Sequence, residues 1–397
     1  MKPTAAALRP ALSAFAALAV LTGCAVGDSS AGQPTWVPKP EGPPPADAPR
    51  QPDPEAQGDP NGGGSLPRPG SPGDMNVVAT GLRLPWGLVV LPDGTALVGE
   101  RSTGRILSVQ PRHGAPVRQV MQIAGLDTHG DGGLLDLALS PTYRDDNLVF
   151  AYVSTRIDNR VIRFQVGHRP TAVLTGIPHG TVHNGGRLAF GPDGLLYVGT
   201  GDAGHSAWAA DPHSLAGKVL RITAFGRPAA GNPDRSSPVF SRGHRDVTGL
   251  CLDSGGRLTE VEPGTAADEV NQVGAGQDYG WPRVSGTARR PGLTDPVRTL
   301  TPATGDPGGC AILERGLFVT ALRGARLWAL PLDGQGTPGR PIGLLAATYG
   351  RLRTVVAAPD GALWLTTSNR DGAGRPIPAD DRVIRFVPPA GTTNSPT

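Results

Sequence analysis

The chain has 397 residues, and its 57 Gly and 42 Pro make up a quarter of it, about twice ordinary usage. Both are poor in helix interiors, which argues against a helix bundle, while a 38% hydrophobic content allows a sizeable core. The balance of 37 basic and 34 acidic residues, with three Lys (Lys2, Lys39 and Lys218) and no basic run, argues against a nucleic-acid partner or a polybasic membrane surface.

Residues 1–24 read as a signal peptide: a basic start (Lys2, Arg9), an apolar stretch from Ala11 to Leu21, then Leu21-Thr22-Gly23-Cys24. The last four residues resemble a bacterial lipobox, so Cys24 is the expected site of lipidation. The mature protein is then expected to be exported and lipid-anchored on the outer face of the bacterial cytoplasmic membrane. Residues 25–73 hold 13 Pro and 9 Gly among 49 positions, too little apolar surface to offset ordering entropy, and read as a disordered tether.

From Asn76 a unit recurs in which a turn precedes an alternating apolar strand. The turns are Leu91-Pro-Asp-Gly, Ser140-Pro-Thr-Tyr, Gly191-Pro-Asp-Gly, Leu252-Asp-Ser-Gly-Gly, Glu314-Arg-Gly and Ala358-Pro-Asp-Gly. Asp-Gly between apolar runs is a hairpin signal. A second β-rich run usually follows, such as Arg105-Ile-Leu-Ser-Val or Arg382-Val-Ile-Arg-Phe. Six units of roughly 50 residues match four-stranded blades. Residues 74–388 are therefore predicted to form an all-β, six-bladed β-propeller, with Asn76-Val-Val-Ala closing the ring and 389–397 as a flexible tail.

Polar, Gly-rich interruptions of the strand pattern are the candidate ligand loops. Gly130-Asp-Gly-Gly contains Asp131, and His183 precedes a strand in Thr181-Val-His-Asn-Gly-Gly-Arg. His183 reads either as a structural imidazole or as a proton acceptor. Gly243-His-Arg-Asp offers Arg245 to an anion or carbonyl oxygen, or alternatively to an interblade ion pair. The acidic stretch Glu260-Val-Glu-Pro to Asn271 reads as a calcium loop or as a solvated acidic loop. Arg351 and Arg353 lie two apart on a predicted strand and so face one way, a fork for a carboxylate pair. Outside the cytoplasm Cys251 and Cys310 are permitted to pair, the alternative being two buried thiols.

These segments, in this order, resemble the soluble quinoprotein sugar dehydrogenases, the pyrroloquinoline quinone (PQQ)-dependent glucose and aldose dehydrogenases. The resemblance runs from Leu84-Pro-Trp-Gly-Leu to Arg382-Val-Ile-Arg-Phe. Its most specific pieces are Gly132-Gly-Leu-Leu, His183 with Gly186-Arg-Leu, Ala216-Gly-Lys-Val-Leu-Arg-Ile, Gly243-His-Arg, Asp268-Glu-Val-Asn and Tyr279-Gly-Trp-Pro. It implies a six-bladed propeller holding PQQ and Ca2+. His183 would be the base that takes the proton from the anomeric hydroxyl as hydride passes to the quinone, and Arg245 would polarise the quinone carbonyl. The backbone carbonyls of Glu262 and Pro263 would hold calcium. Asp131, Asp246, Arg323, Arg351 and Arg353 would contact the cofactor, the arginines gripping its carboxylates.

The chain also departs from the family pattern. Asp246 stands where Asn is common, and Asp131 where Gln or Glu is usual. Val182 stands where glucose-type members carry an Asp, and it cannot orient the imidazole. Glu262 replaces a frequent Gly of the calcium loop, and Pro302-Ala-Thr-Gly also differs from the type expected there. The leading expectation is a dehydrogenase acting on an aldose sugar or related alcohol and passing electrons to an acceptor of unspecified kind. A non-catalytic propeller binding a glycan or protein at the cell surface is the alternative, and a calcium-dependent lactonase a weaker one.

Overall fold

A computed structural model of the chain describes residues 76–389, all within one compact unit, Ser65–Thr397. The signal segment 1–24 with Cys24, the tether 25–73 and the tail beyond residue 389 lie outside the described residues. The described chain forms six antiparallel four-stranded sheets, whose first strands pack side by side in a closed ring, sixth against first. This is a six-bladed β-propeller. Its only helices among the described residues are two single turns, Tyr143–Asp146 and Ala207–Ala210.

The recurrent turn is the hairpin between the first and second strand of every blade. At Leu91, Gly191 and Ala358 the carbonyl accepts from the Gly three residues on, at 2.9–3.1 Å. That Gly is left-handed each time (φ +84°, +76° and +79°), which explains why Asp-Gly marks the turn. The Asp carboxylate caps the turn by accepting the amide two residues on, as Asp93 does from Thr95 at 2.9 Å. Two blades lack the motif, and there Asn147 and Glu314 take the left-handed position instead (φ 52° and 53°).

The last blade supplies three strands from 352–386, and its fourth is Val77–Ala79, paired antiparallel to Val383–Phe386. The two ends of the described chain thereby lock each other and close the ring. A Cys251–Cys310 disulfide, Cα–Cα 5.9 Å, ties the first strands of the fourth and fifth blades. Closing a covalent loop across 59 positions removes entropy from the unfolded chain.

Arg187 crosses the central channel. It donates to the carbonyls of Thr248 (2.5 Å) and Gly308, to the Thr354 hydroxyl (3.3 Å) and to Asp136 (3.4 Å). Asp136 in turn accepts the Leu188 amide at 2.9 Å. One guanidinium thus joins five blades and divides the channel. On one side lies a cavity of about 370 Å³ lined mainly by aliphatic side chains such as Leu88, Leu137 and Leu250. Its titratable groups are the Asp136–Arg187 pair alone, so chemistry must be sought on the other side.

Candidate active site

The opposite mouth is built where the first strand of each blade begins. Two adjoining cavities open there. One, of about 390 Å³, is lined by His183, Arg245, Asp246, Pro263, Asp268 and Arg323, among others. The other, about 180 Å³, reaches Trp86, Asp131, Arg187, Arg351 and Arg353. Asp246, Pro263 and Asp306 line both. All seven residues expected to be catalytic or cofactor-binding therefore come together at one channel mouth, with Pro263. Glu262 lines neither cavity.

His183 sits in a left-handed conformation (φ 54°), and its amide donates to Asp131 Oδ2 at 3.1 Å. A Cβ on Gly201 would overlap the His183 carbonyl oxygen, so only glycine lets the 201–204 loop pass this close. That loop carries Asp202, whose Oδ1 lies 2.9 Å from His183 Nδ1. Asp202 is itself fixed by Trp281 Nε1 on Oδ2 (2.8 Å) and by the Gly204 amide (2.8 Å). With Nδ1–H donating to Asp202, Nε2 carries the free lone pair. Val182 is 42% exposed and plays no part. The expectation that its presence leaves the imidazole unoriented is corrected here, because the orienting carboxylate comes from 19 residues downstream.

Burial lowers the His183 pKa, but the Asp202 hydrogen bond and the Asp246 charge outweigh it, so the net shift is upward. Burial also acts on Asp202, yet its hydrogen bonds from His183, Gly204 and Trp281 hold its carboxyl below the usual range. The segment 208–216 that follows the Asp202 loop is clamped by Lys218. This fully buried ammonium donates to the carbonyls of Trp208, Ala209 and Ala216 at 2.7–2.9 Å, and burial pushes its pKa down to about 8.

Arg245 Nη1 donates to the Pro263 carbonyl at 3.1 Å and lies over the Trp281 ring at 5.5 Å. The amides of Arg245 and Asp246 both donate to Glu262 Oε2 (2.6 and 2.9 Å). Asp246 Oδ1 accepts the Gly185 amide at 2.9 Å. Burial raises the Asp246 carboxyl to about 6. The acidic stretch is not a solvated loop: Glu260 and Glu262 lie on the strand Leu258–Glu262, Asp268 and Glu269 on Asp268–Val273, and all four are buried.

The two arginines of the expected fork differ in their partners. Arg351 is engaged, with Nε 2.9 Å from Asp371 and Nη2 3.9 Å from Asp306. Arg353 stacks 3.7 Å over the Trp86 ring, where Arg101 also lies at 4.9 Å. Burial, then the like charge of Arg187, pushes the Arg353 pKa down to about 9. The Nε atoms of Arg101, Arg245 and Arg353 are all buried without a hydrogen-bond partner. Of these three, Arg245 and Arg353 line the two cavities together with Arg323 and Arg351, and cations gathered around a cavity fit a multiply anionic ligand. Arg101, Asp202 and Trp86 were not singled out from the sequence as site residues.

The fold and site define a propeller with an oriented base and an anion-receptive pocket at one mouth. The chain belongs to the glucose/sorbosone dehydrogenase family, an oxidoreductase family whose model matches residues 82–377. It is similar to the PQQ-bound aldose sugar dehydrogenase of Streptomyces coelicolor, 43% identical with TM-score 0.75, covering 78% of this chain and 96% of that one. It is 30% identical to quinoprotein glucose dehydrogenase B of Acinetobacter calcoaceticus over 54% of this chain, and spans about half (53%) of that protein's length. An aldose sugar dehydrogenase of Escherichia coli is 25% identical over 75% of this chain and 91% of its own.

Proposed function

We propose that the protein is an exported, lipid-anchored dehydrogenase that binds PQQ with Ca2+ and oxidises an aldose sugar or related alcohol. The observation that carries the reading is the gathering of Arg245, Arg323, Arg351 and Arg353 around two adjoining cavities, one of which also holds the oriented His183 of the His–Asp pair. The reading is supported by the family and by a PQQ-bound relative of 43% identity. PQQ carries three carboxylates, and when bound it supplies a two-electron acceptor for hydride. Arg353 is the cation free to receive one carboxylate, while Arg351 must share its charge with Asp371 and Asp306.

Arg245, held by Pro263 and Trp281, is placed to polarise a carbonyl oxygen. His183 Nε2 accepts the substrate hydroxyl proton, and the imidazolium formed is stabilised by Asp202. The Pro263 carbonyl borders both cavities, an oxygen donor of the kind a hard cation takes. The Glu262 side chain turns away to bind two backbone amides, which leaves its own carbonyl as the second expected donor. Pro263 must then share its oxygen between calcium and Arg245.

Titrating the apo-protein with PQQ by calorimetry tests this reading. Saturable binding is expected with Ca2+ present and weaker binding in chelator, accompanied by dye-linked oxidation of an aldose. Failure to bind PQQ with Ca2+ present would favour the non-catalytic alternative, for which Asp246 and the Arg245-occupied Pro263 carbonyl speak. The anchor rests on Cys24 in its lipobox-like context. Among the described residues no helix is long and apolar enough to cross a membrane. Cys24→Ser is expected to move the protein from the membrane to the soluble fraction of a cell fractionation, and an unchanged membrane fraction would refute lipidation there.

A further inference from the structure

Behind the Arg245–Asp246 wall lies a second cluster that neither cavity reaches. Its members are His244, just before the first strand of the fourth blade, and Glu260 and Glu262, two apart on that blade's second strand and so on one face of it. His244 and Glu260 are 0% exposed and Glu262 3%. One ligand-capable atom from each lies within 4.8 Å of the others. We infer that His244 Nδ1, Glu260 and Glu262 hold a divalent transition-metal ion of the zinc type.

The first argument is distance. His244 Nδ1 is 3.7 Å from Glu260 Oε2 and 3.7 Å from Glu262 Oε1, too far for hydrogen bonds. Two ligands bonded at 2.0–2.2 Å to one tetrahedral ion stand roughly 3.3–3.6 Å apart. The present separations need only a small side-chain movement to meet that. The second argument is the polar inventory. His244 Nδ1 and Glu260 Oε1 are buried with no hydrogen-bond partner, a condition native interiors rarely tolerate without a bound ion or water.

The third argument is that neighbouring groups already orient each donor. His244 Nε2 lies 2.9 Å from the Ser241 hydroxyl, and the ring stacks on Tyr279 at 4.7 Å. An Nε2–H donating to Ser241 leaves Nδ1 as an unprotonated ligand. Glu262 Oε2 is held by two amides, so Oε1 turns toward His244. Glu260 Oε2, the oxygen nearest Nδ1, also accepts Asn271 Nδ2 at 2.9 Å, which orients the carboxylate and leaves that oxygen a second lone pair. Two buried carboxylates gathered beside one imidazole crowd negative charge that a dication would relieve. An imidazole nitrogen among the donors favours zinc over calcium, which takes oxygen.

A buried site fills as the chain folds, so the test uses protein produced in zinc-supplemented medium, then desalted in excess Ca2+ without PQQ. Metal counting by mass spectrometry is expected to find about one zinc per chain that calcium does not displace. Glu262→Gln keeps an acceptor for both amides but turns an NH2 toward His244. It is expected to lower zinc content at least about tenfold while remaining folded by circular dichroism. Should that variant not fold, anomalous scattering at the zinc edge of wild-type crystals decides, with a peak bonded to His244 Nδ1 expected. Zinc-free wild type, full zinc content in Glu262→Gln, or a peak elsewhere would overturn the inference. Since no quinone is involved, such a failure leaves the dehydrogenase reading untouched.

Discussion

His183→Ala is expected to lower kcat of the PQQ- and Ca2+-loaded protein by roughly 10³-fold, the range a well-placed general base supplies, while leaving the PQQ affinity within about twofold. The side chain is removed without disturbing the backbone bond to Asp131, because the 183 amide remains. The same base predicts a pH profile. Proton abstraction needs neutral imidazole, and the net upward shift of the His183 pKa keeps the ring charged to higher pH. Therefore kcat/KM should rise with pH through an apparent pKa above the ordinary imidazole value of about 6.5.

Asp202→Asn removes the charge and weakens the hydrogen bond that raise that pKa, and leaves the burial that lowers it. The limb should then move to lower pH, while kcat falls roughly 10- to 100-fold because one Asn oxygen cannot serve both His183 and Trp281. A kcat loss below about tenfold in His183→Ala would remove it as the base. An unmoved limb in Asp202→Asn would make Asp202 merely structural.

The propeller was legible in the chain because its turns are chemically constrained. Four Asp or Ser and Gly turns announce left-handed residues, and the strands beside them are short runs rich in aliphatic and β-branched residues, buried along nearly their whole length. Asn147 and Glu314 blur the signal because they hold the same conformation without glycine. The site was legible only as separate loops. His183 and Asp202 are joined by a loop-to-loop contact across two strands of one blade, and nothing in local spacing marks it.

Arg187 lay inside a quoted motif, but its role depends on four other blades meeting at the axis. Of the two readings left open for the acidic stretch, the solvated one fails for a different reason. Acidity suggested solvent, whereas Glu-Val-Glu has the alternation of a strand, and it places two carboxylates on the same inward face.

Arg353→Met is expected to move two measurements in opposite directions. In the apo-protein Arg353 is a cation without a carboxylate of its own, since Asp371 and Asp306 face Arg351. Its Nε is buried and unpaired, and its pKa is held down to about 9. Replacing such a charge by an unbranched apolar chain that still covers Trp86 should stabilise the apo-protein by about 1–2 kcal/mol, a rise of a few degrees in Tm. The same change removes a charge-assisted bond to a PQQ carboxylate inside a poorly solvated cavity. PQQ affinity should fall by about 10²-fold, equivalent to roughly 3 kcal/mol, and the Tm increase on adding PQQ should shrink accordingly. A variant with lower apo Tm and unchanged PQQ affinity would instead make Arg353 part of the scaffold, its stacking on Trp86 serving the ring of blades. The predicted crossing follows from one asymmetry: of two arginines two residues apart, one is already neutralised and the other is left for the ligand.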